Sequence, residues 1–125
     1  MKLGKIIELV NELKPNAYSE EHLTRWVTDV ENYAIEGVFN RIDGRNYEYV
    51  QYEYEKDRET ELLIPEPYEE VYVHYLCSKI DYWDREMEAY NNSASMYNAA
   101  YKNFAAYMRR NYRPKSLPDK KISLH

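Results

Sequence analysis

Three glycines in 125 residues, Gly4, Gly37 and Gly44, are too few and too far apart to build a phosphate-cradling loop. Nucleotide binding by that route is excluded. Cys77 is the only cysteine, so no internal disulfide can form, and its simplest role is that of a small buried side chain. The longest unbroken apolar run is the five residues from Phe104 to Met108. A membrane-crossing helix needs about 20, and the N-terminus lacks the apolar region of a signal peptide. A soluble, intracellular protein is the expectation. Phenylalanine is scarce as well: there are two, against fifteen tyrosines. Tyrosine joins apolar area to a hydroxyl that needs a partner, which suits surfaces buried in an assembly.

The length is that of one small domain with a modest core. Charge is distributed unevenly along it. Residues 1–108 carry 11 Lys and Arg against 21 Asp and Glu, whereas residues 109–125 carry six against one. An acidic body is a poor surface for gripping phosphates, and a short basic tail is too small to read a nucleic-acid sequence.

What is present is organised around Pro67–Tyr112. Its apolar positions, among them Tyr72, Leu76, Ile80, Trp83, Met87, Tyr97, Phe104 and Met108, step by three and four, the spacing of one helix face. Pro67 fits a first helical turn, Glu69 and Glu70 suit the positive end of the dipole, and Arg109, Arg110 and Arg113 crowd the last turn before Pro114 stops it. A straight helix of this length would run roughly 67 Å, more than so small a domain can cover. A bend is expected at Asp84-Arg85-Glu86 or at Asn91-Asn92-Ser93, the former preferred.

Two shorter helices precede it. Leu3, Ile6, Ile7, Val10 and Leu13 form a narrow stripe that ends at Lys14-Pro15-Asn16. Ser19 reads as the N-cap of a second helix running to about Arg41, with Leu23, Trp26, Val27, Val30, Tyr33, Ala34, Val38 and Ile42 inward. Trp26 is its anchor; truncating such a ring typically costs ~3–5 kcal/mol. Asp43-Gly44 closes the segment as a turn. From Tyr47 to Ile64 the apolar period changes to two, so a β-hairpin or an extended loop is expected. Two strands alone are barely stable, and acids lie along both faces, so this segment is expected to pack against something outside its own subunit. The tail from Lys115 to His125, with Lys120 and Lys121, has little apolar surface and is expected to be flexible.

Catalytic and metal chemistry find little support. His74, Cys77 and Asp81 are spaced i, i+3, i+7 and share a helix face, a spacing that metal sites use, but no fourth ligand accompanies them. A packed thiol beside a hydrogen-bonded histidine accounts for the same residues. The carboxylate pairs Glu20/Glu21, Glu59/Glu61 and Glu69/Glu70 fall in first turns of helices or in the loop, where solvated or capping roles suffice. The tyrosine stripe is read as core and subunit interface in preference to a base-stacking platform. No cofactor is expected.

Several strings, in order, carry a likeness: Lys14-Pro15-Asn16-Ala17-Tyr18-Ser19 with Leu23 and Trp26; Glu61-Leu62-Leu63-Ile64-Pro65 leading into Pro67-Tyr68 and Val71-Tyr72; Tyr90-Asn91-Asn92 with Met96-Tyr97-Asn98; and Asn111-Tyr112-Arg113-Pro114. Together they resemble the head-to-tail connector (adaptor) proteins of long-tailed phages and of prophages in Gram-positive bacteria. The resemblance implies a mainly α fold of about four helices, residues 1–114, with an insertion at about 46–64 between the second and third, followed by the tail 115–125. It implies a non-enzymatic subunit of a ring of about twelve copies at the head-tail junction of the virion, assembled in the host cytoplasm. Portal protein lies above the ring, a tail-side completion protein docks below, and DNA passes through without specific binding. Leu23, Trp26, Val30, Tyr72, Leu76, Ile80, Trp83, Tyr97 and Phe104 are then core positions. The interface candidates are Tyr47, Tyr49, Tyr52, Tyr54, Arg109, Arg110, Arg113, Lys115, Lys120 and Lys121. The rival readings are a small phage-encoded regulatory or interaction protein acting as monomer or dimer, and a nucleic-acid-associated protein using the basic tail.

Overall fold

The structure, a computed structural model, describes residues 1–116. Four long helices make the fold: α1 (Leu3–Leu13), α2 (Glu20–Gly37), α4 (Glu70–Trp83) and α5 (Met87–Asn111); α3 (Tyr54–Asp57) is a single turn in the segment between α2 and α4. Contacts at both ends fix their directions. Lys14 and Asp81 meet where α1 and α4 end, while Tyr18, just before α2, reaches Asp84, just before α5. Gly37 at the end of α2 lies against Tyr101 of α5. So α1 and α4 run one way, and α2 and α5 return.

Each helix starts or stops for a local reason. The α1 stripe buries Leu3, Ile6, Ile7 and Val10, whereas Leu13 remains exposed at the helix end. Ser19 caps α2 as expected, its hydroxyl accepting the His22 N–H at 3.1 Å. Beyond Gly37 the chain tightens into a 3₁₀ turn, Phe39–Arg41, which keeps Phe39 and Ile42 in the core. Gly44 then takes φ +84°, a left-handed conformation, within the turn expected at Asp43-Gly44.

The long run breaks at Asp84-Arg85-Glu86. Arg85 adopts φ +61°, its N–H donates to the Tyr82 carbonyl at 3.1 Å, and the Glu86 N–H donates to Asp81 at 2.9 Å. This bond pair closes a Schellman motif. α5 is thereby turned back antiparallel to α4. The N-terminal end of α4 lies later than Pro67. Tyr68, Val71 and Tyr72 each donate to a carbonyl three residues earlier, so consecutive turns precede the helix, which begins at Glu70.

Three expectations are corrected by packing. No β-hairpin forms among the described residues between Tyr47 and Ile64: the segment is an extended loop interrupted by α3, and it makes only an isolated antiparallel bridge from Glu61 to Lys2. Val50, Tyr52 and Leu63 of this segment bond to α2 of the same chain. Trp83, expected in the core, is 56% exposed, because α4 ends at that residue and no helix surface lies beyond it. Tyr33, expected inward on α2, is likewise exposed. Leu23, Trp26, Val30, Tyr72, Leu76, Ile80 and Phe104 are all buried in one continuous core, and Tyr97 is half-buried against it.

Candidate functional site

Glu31 is the most unusual side chain in the molecule, a carboxylate on α2 with 0% exposure. It is held by donors from three parts of the chain. The Tyr52 hydroxyl and the Leu63 N–H donate to its Oε2 at 2.8 and 2.9 Å, and the Tyr72 hydroxyl donates to its Oε1. Tyr72 in turn accepts the Ile64 N–H at 2.9 Å. Burial pushes the Glu31 carboxyl above its ordinary value, and the donated hydrogen bonds act in the opposite direction. Burial and the adjacent carboxylate raise the Tyr72 and Tyr52 phenols, so both remain donors.

Asn32 on α2 and Asn40 in the 3₁₀ turn after it extend this grip along the loop. Asn32 accepts the Val50 N–H at 2.8 Å and donates to the Val50 carbonyl at 3.0 Å; Asn40 does the same for Tyr47 at 2.7 and 2.9 Å. These two side chains meet backbone groups that a second strand would otherwise have to satisfy. Gly4 lets the far end of the loop approach α1, since a Cβ there would stand 3.1 Å from the Arg58 carbonyl that accepts the Gly4 N–H. The arrangement fastens the loop to α2, and an open, polar cleft of about 810 Å³ lies between the two, lined among others by His22, Arg25, Asp29, Asn32 and Gln51.

A second buried carboxylate, Asp81, ties α1 and α5 to α4. It accepts from Lys14 Nζ and Ser93 Oγ, each at 2.8 Å. Asp81 therefore has protein partners on both oxygens. His74 faces Glu70 at 3.7 Å, and the described residues contain no group of three or more potential ligands that could hold a metal ion.

The tyrosines expected at an interface divide into two kinds. Tyr52 and Tyr54 are half-buried and pack on the core, with the Arg58 guanidinium over the Tyr54 ring. Tyr47 packs edge-on against Phe39, and Tyr49 is 65% exposed with its hydroxyl on Glu36 at 3.0 Å. Of the basic group, Arg109 and Arg110 are exposed on the last turn of α5, while the backbones of Arg113 and Lys115 pair with Asp43 and Arg41. Lys120 and Lys121 lie outside the described residues. The structure thus sets Tyr47 and the backbones of Arg113 and Lys115 on one short stretch, Asn40 to Asp43, while Tyr52 and Tyr54 pack against the core.

Two further surface features lie at the two ends of α5. At the α4–α5 turn, Tyr82, Trp83 and Met87 project together beside Asp84, Glu86 and Glu88. At the opposite end of α5 an apolar groove of about 380 Å³ opens between that helix and the end of α2, lined by Val38, Ile42, Ala105 and Met108 and rimmed by Arg41 and Arg109. Sequence reasoning missed the groove and the Glu31 hub. A signal for Glu31 was present: it sits four residues after Val27 and four before Ile35, a charge placed in phase with the apolar stripe.

Comparison with protein-family models, curated proteins and solved structures finds no match to this chain.

Proposed function

We propose that this chain is a structural, non-enzymatic subunit of the head-to-tail connector ring of a long-tailed phage or prophage, placed between portal and tail and forming part of the DNA channel. The observation that carries the reading is the ordered set of strings from Lys14 to Pro114, now seated on four long helices with an extended loop between α2 and α4. That is the architecture the resemblance implies, including the division of the long run into two helices. The exposed aromatic cluster at the α4–α5 turn supports an assembly role, since an isolated small domain gains nothing from Trp83 in water. The acid excess of residues 1–108, repeated around a ring of about twelve copies, gives a wall that repels phosphate and lets a duplex slide.

The reading is tested by mixing the purified chain with the portal protein of the same genome and examining the particles by electron microscopy. Annular densities on the portal are expected. A chain that stays monomeric and never engages portal removes the connector role and leaves the rival, a small interaction module acting as monomer or dimer, which the same exposed cluster would serve.

A further inference from the structure

The knob at the α4–α5 turn and the groove at the far end of α5 are complementary in shape and in charge. The knob presents Tyr82, Trp83 and Met87, residue types enriched at the centres of interfaces, and its acids Asp84, Glu86 and Glu88 outnumber Arg85. The groove is apolar at its floor and carries Arg41 and Arg109 on its rim, neither of which forms an ion pair among the described residues. One copy cannot fill its own groove. From Met87 to Ala105 is 18 residues of continuous helix, about 27 Å at 1.5 Å per residue, with Trp83 further still.

We infer that copies of this chain join head to tail, the α4–α5 knob of one seated in the groove between α2 and α5 of the next, with Trp83 as the anchor and Arg41 and Arg109 facing Glu86 and Glu88. Joined one way, the contact is heterologous and leaves a free knob at one end and a free groove at the other, so it propagates to a ring or a filament, whereas a reciprocal pair would close as a two-fold dimer and stop there. This deepens the connector reading and rests on it only in that copies associate.

Mass measurement of the full chain over a concentration series, with two variants, tests the joint. Trp83→Ala removes the exposed anchor, and Ala105→Arg fills the groove; each should keep the helical circular-dichroism signal and weaken association at least about tenfold. An equimolar mixture of the two should restore dimers and nothing larger, since only the intact knob of one can meet the intact groove of the other. Should Ala105→Arg fail to fold, the exposed pair Arg41→Glu with Arg109→Glu serves in its place and should be rescued by Glu86→Lys with Glu88→Lys. A chain monomeric throughout, association untouched by either variant, or a mixture that still forms large assemblies overturns the inference. Association lost with Ala105→Arg but kept with Trp83→Ala assigns the groove to another occupant, residues 117–125 included, and overturns it too. Dimers restored in the mixture by a chain that never binds portal would keep this joint and remove the connector reading.

Discussion

Glu31 remains in the core because every polar group that reaches it is a donor: two phenols and one backbone N–H converge on its two oxygens. Removing it strands those donors. Each buried unsatisfied group costs about 1–3 kcal/mol, so Glu31→Leu should destabilise the fold by at least about 3 kcal/mol in urea melts, despite being an apolar residue in an apolar core. The pH dependence follows from the same burial. The folded-state pKa of Glu31 is raised above its ordinary value of 4.5, so its contribution to stability is fully present below that value and is lost as pH rises through the folded-state value. Glu31→Gln should abolish that part of the slope above pH 4.5, while costing stability at every pH because one amide oxygen cannot accept for two carboxylate oxygens. Urea melts of both chains over a pH series check this; parallel profiles would mean that Glu31 does not titrate differently on folding. The residue was only half legible in the sequence. Its phase on the α2 stripe was visible, but its donors lie 21, 32 and 41 residues away, beyond any local pattern.

The α4–α5 turn and the loop between α2 and α4 illustrate what an element's own residues can and cannot decide. Helix periodicity gave α1, α2 and the interrupted long run, and the polar triplet Asp84-Arg85-Glu86 was one of two places where that run could break. The triplet is where the Schellman motif forms, with arginine in the left-handed position that glycine fills most readily. Arg85→Gly should therefore stabilise by ~0.5–1 kcal/mol, a rise of roughly 2–5 °C in Tm by calorimetry. A fall in Tm would mean that the arginine side chain contributes more than the strain it carries. The sequence left hairpin and extended loop both open between Tyr47 and Ile64, because alternation reports exposure on two sides and says nothing of what satisfies the backbone. Here Asn32 does so from α2 and Asn40 from the 3₁₀ turn that follows it. Asn32→Ala removes two hydrogen bonds to Val50, so amide exchange at Val50 should quicken by about tenfold or more while the α4 and α5 amides stay protected. Uniform loss of protection would show that the loop and the helices unfold as one unit. Trp83 misled for a related reason: spacing places a residue on a face, but only tertiary structure determines whether anything covers that face.

At the scale of the whole molecule, charge separates the connector reading from a nucleic-acid-binding one. Residues 1–116 carry 15 Lys and Arg against 21 Asp and Glu, and four of the bases, with no acid among them, follow Met108 at the C-terminal end of α5 and beyond it. A duplex approaching the body therefore meets net repulsion, and any attraction is confined to the six basic residues of 109–125. Counterion release gives the observed association constant a logarithmic salt slope of about −0.9 per phosphate contacted. Contacts limited to this segment should bind duplex DNA weakly, with a slope no steeper than about −5 and no retention at physiological salt. Ending the chain at Ser116 removes Lys120 and Lys121 and should flatten the slope by about 2, in fluorescence anisotropy over a salt series. The connector reading requires this weakness, because a connector that gripped phosphate would hold the genome in its channel. Tight binding at physiological salt, or a slope unchanged by the truncation, would place the phosphate contacts on the folded body and favour a nucleic-acid-binding protein over a channel subunit.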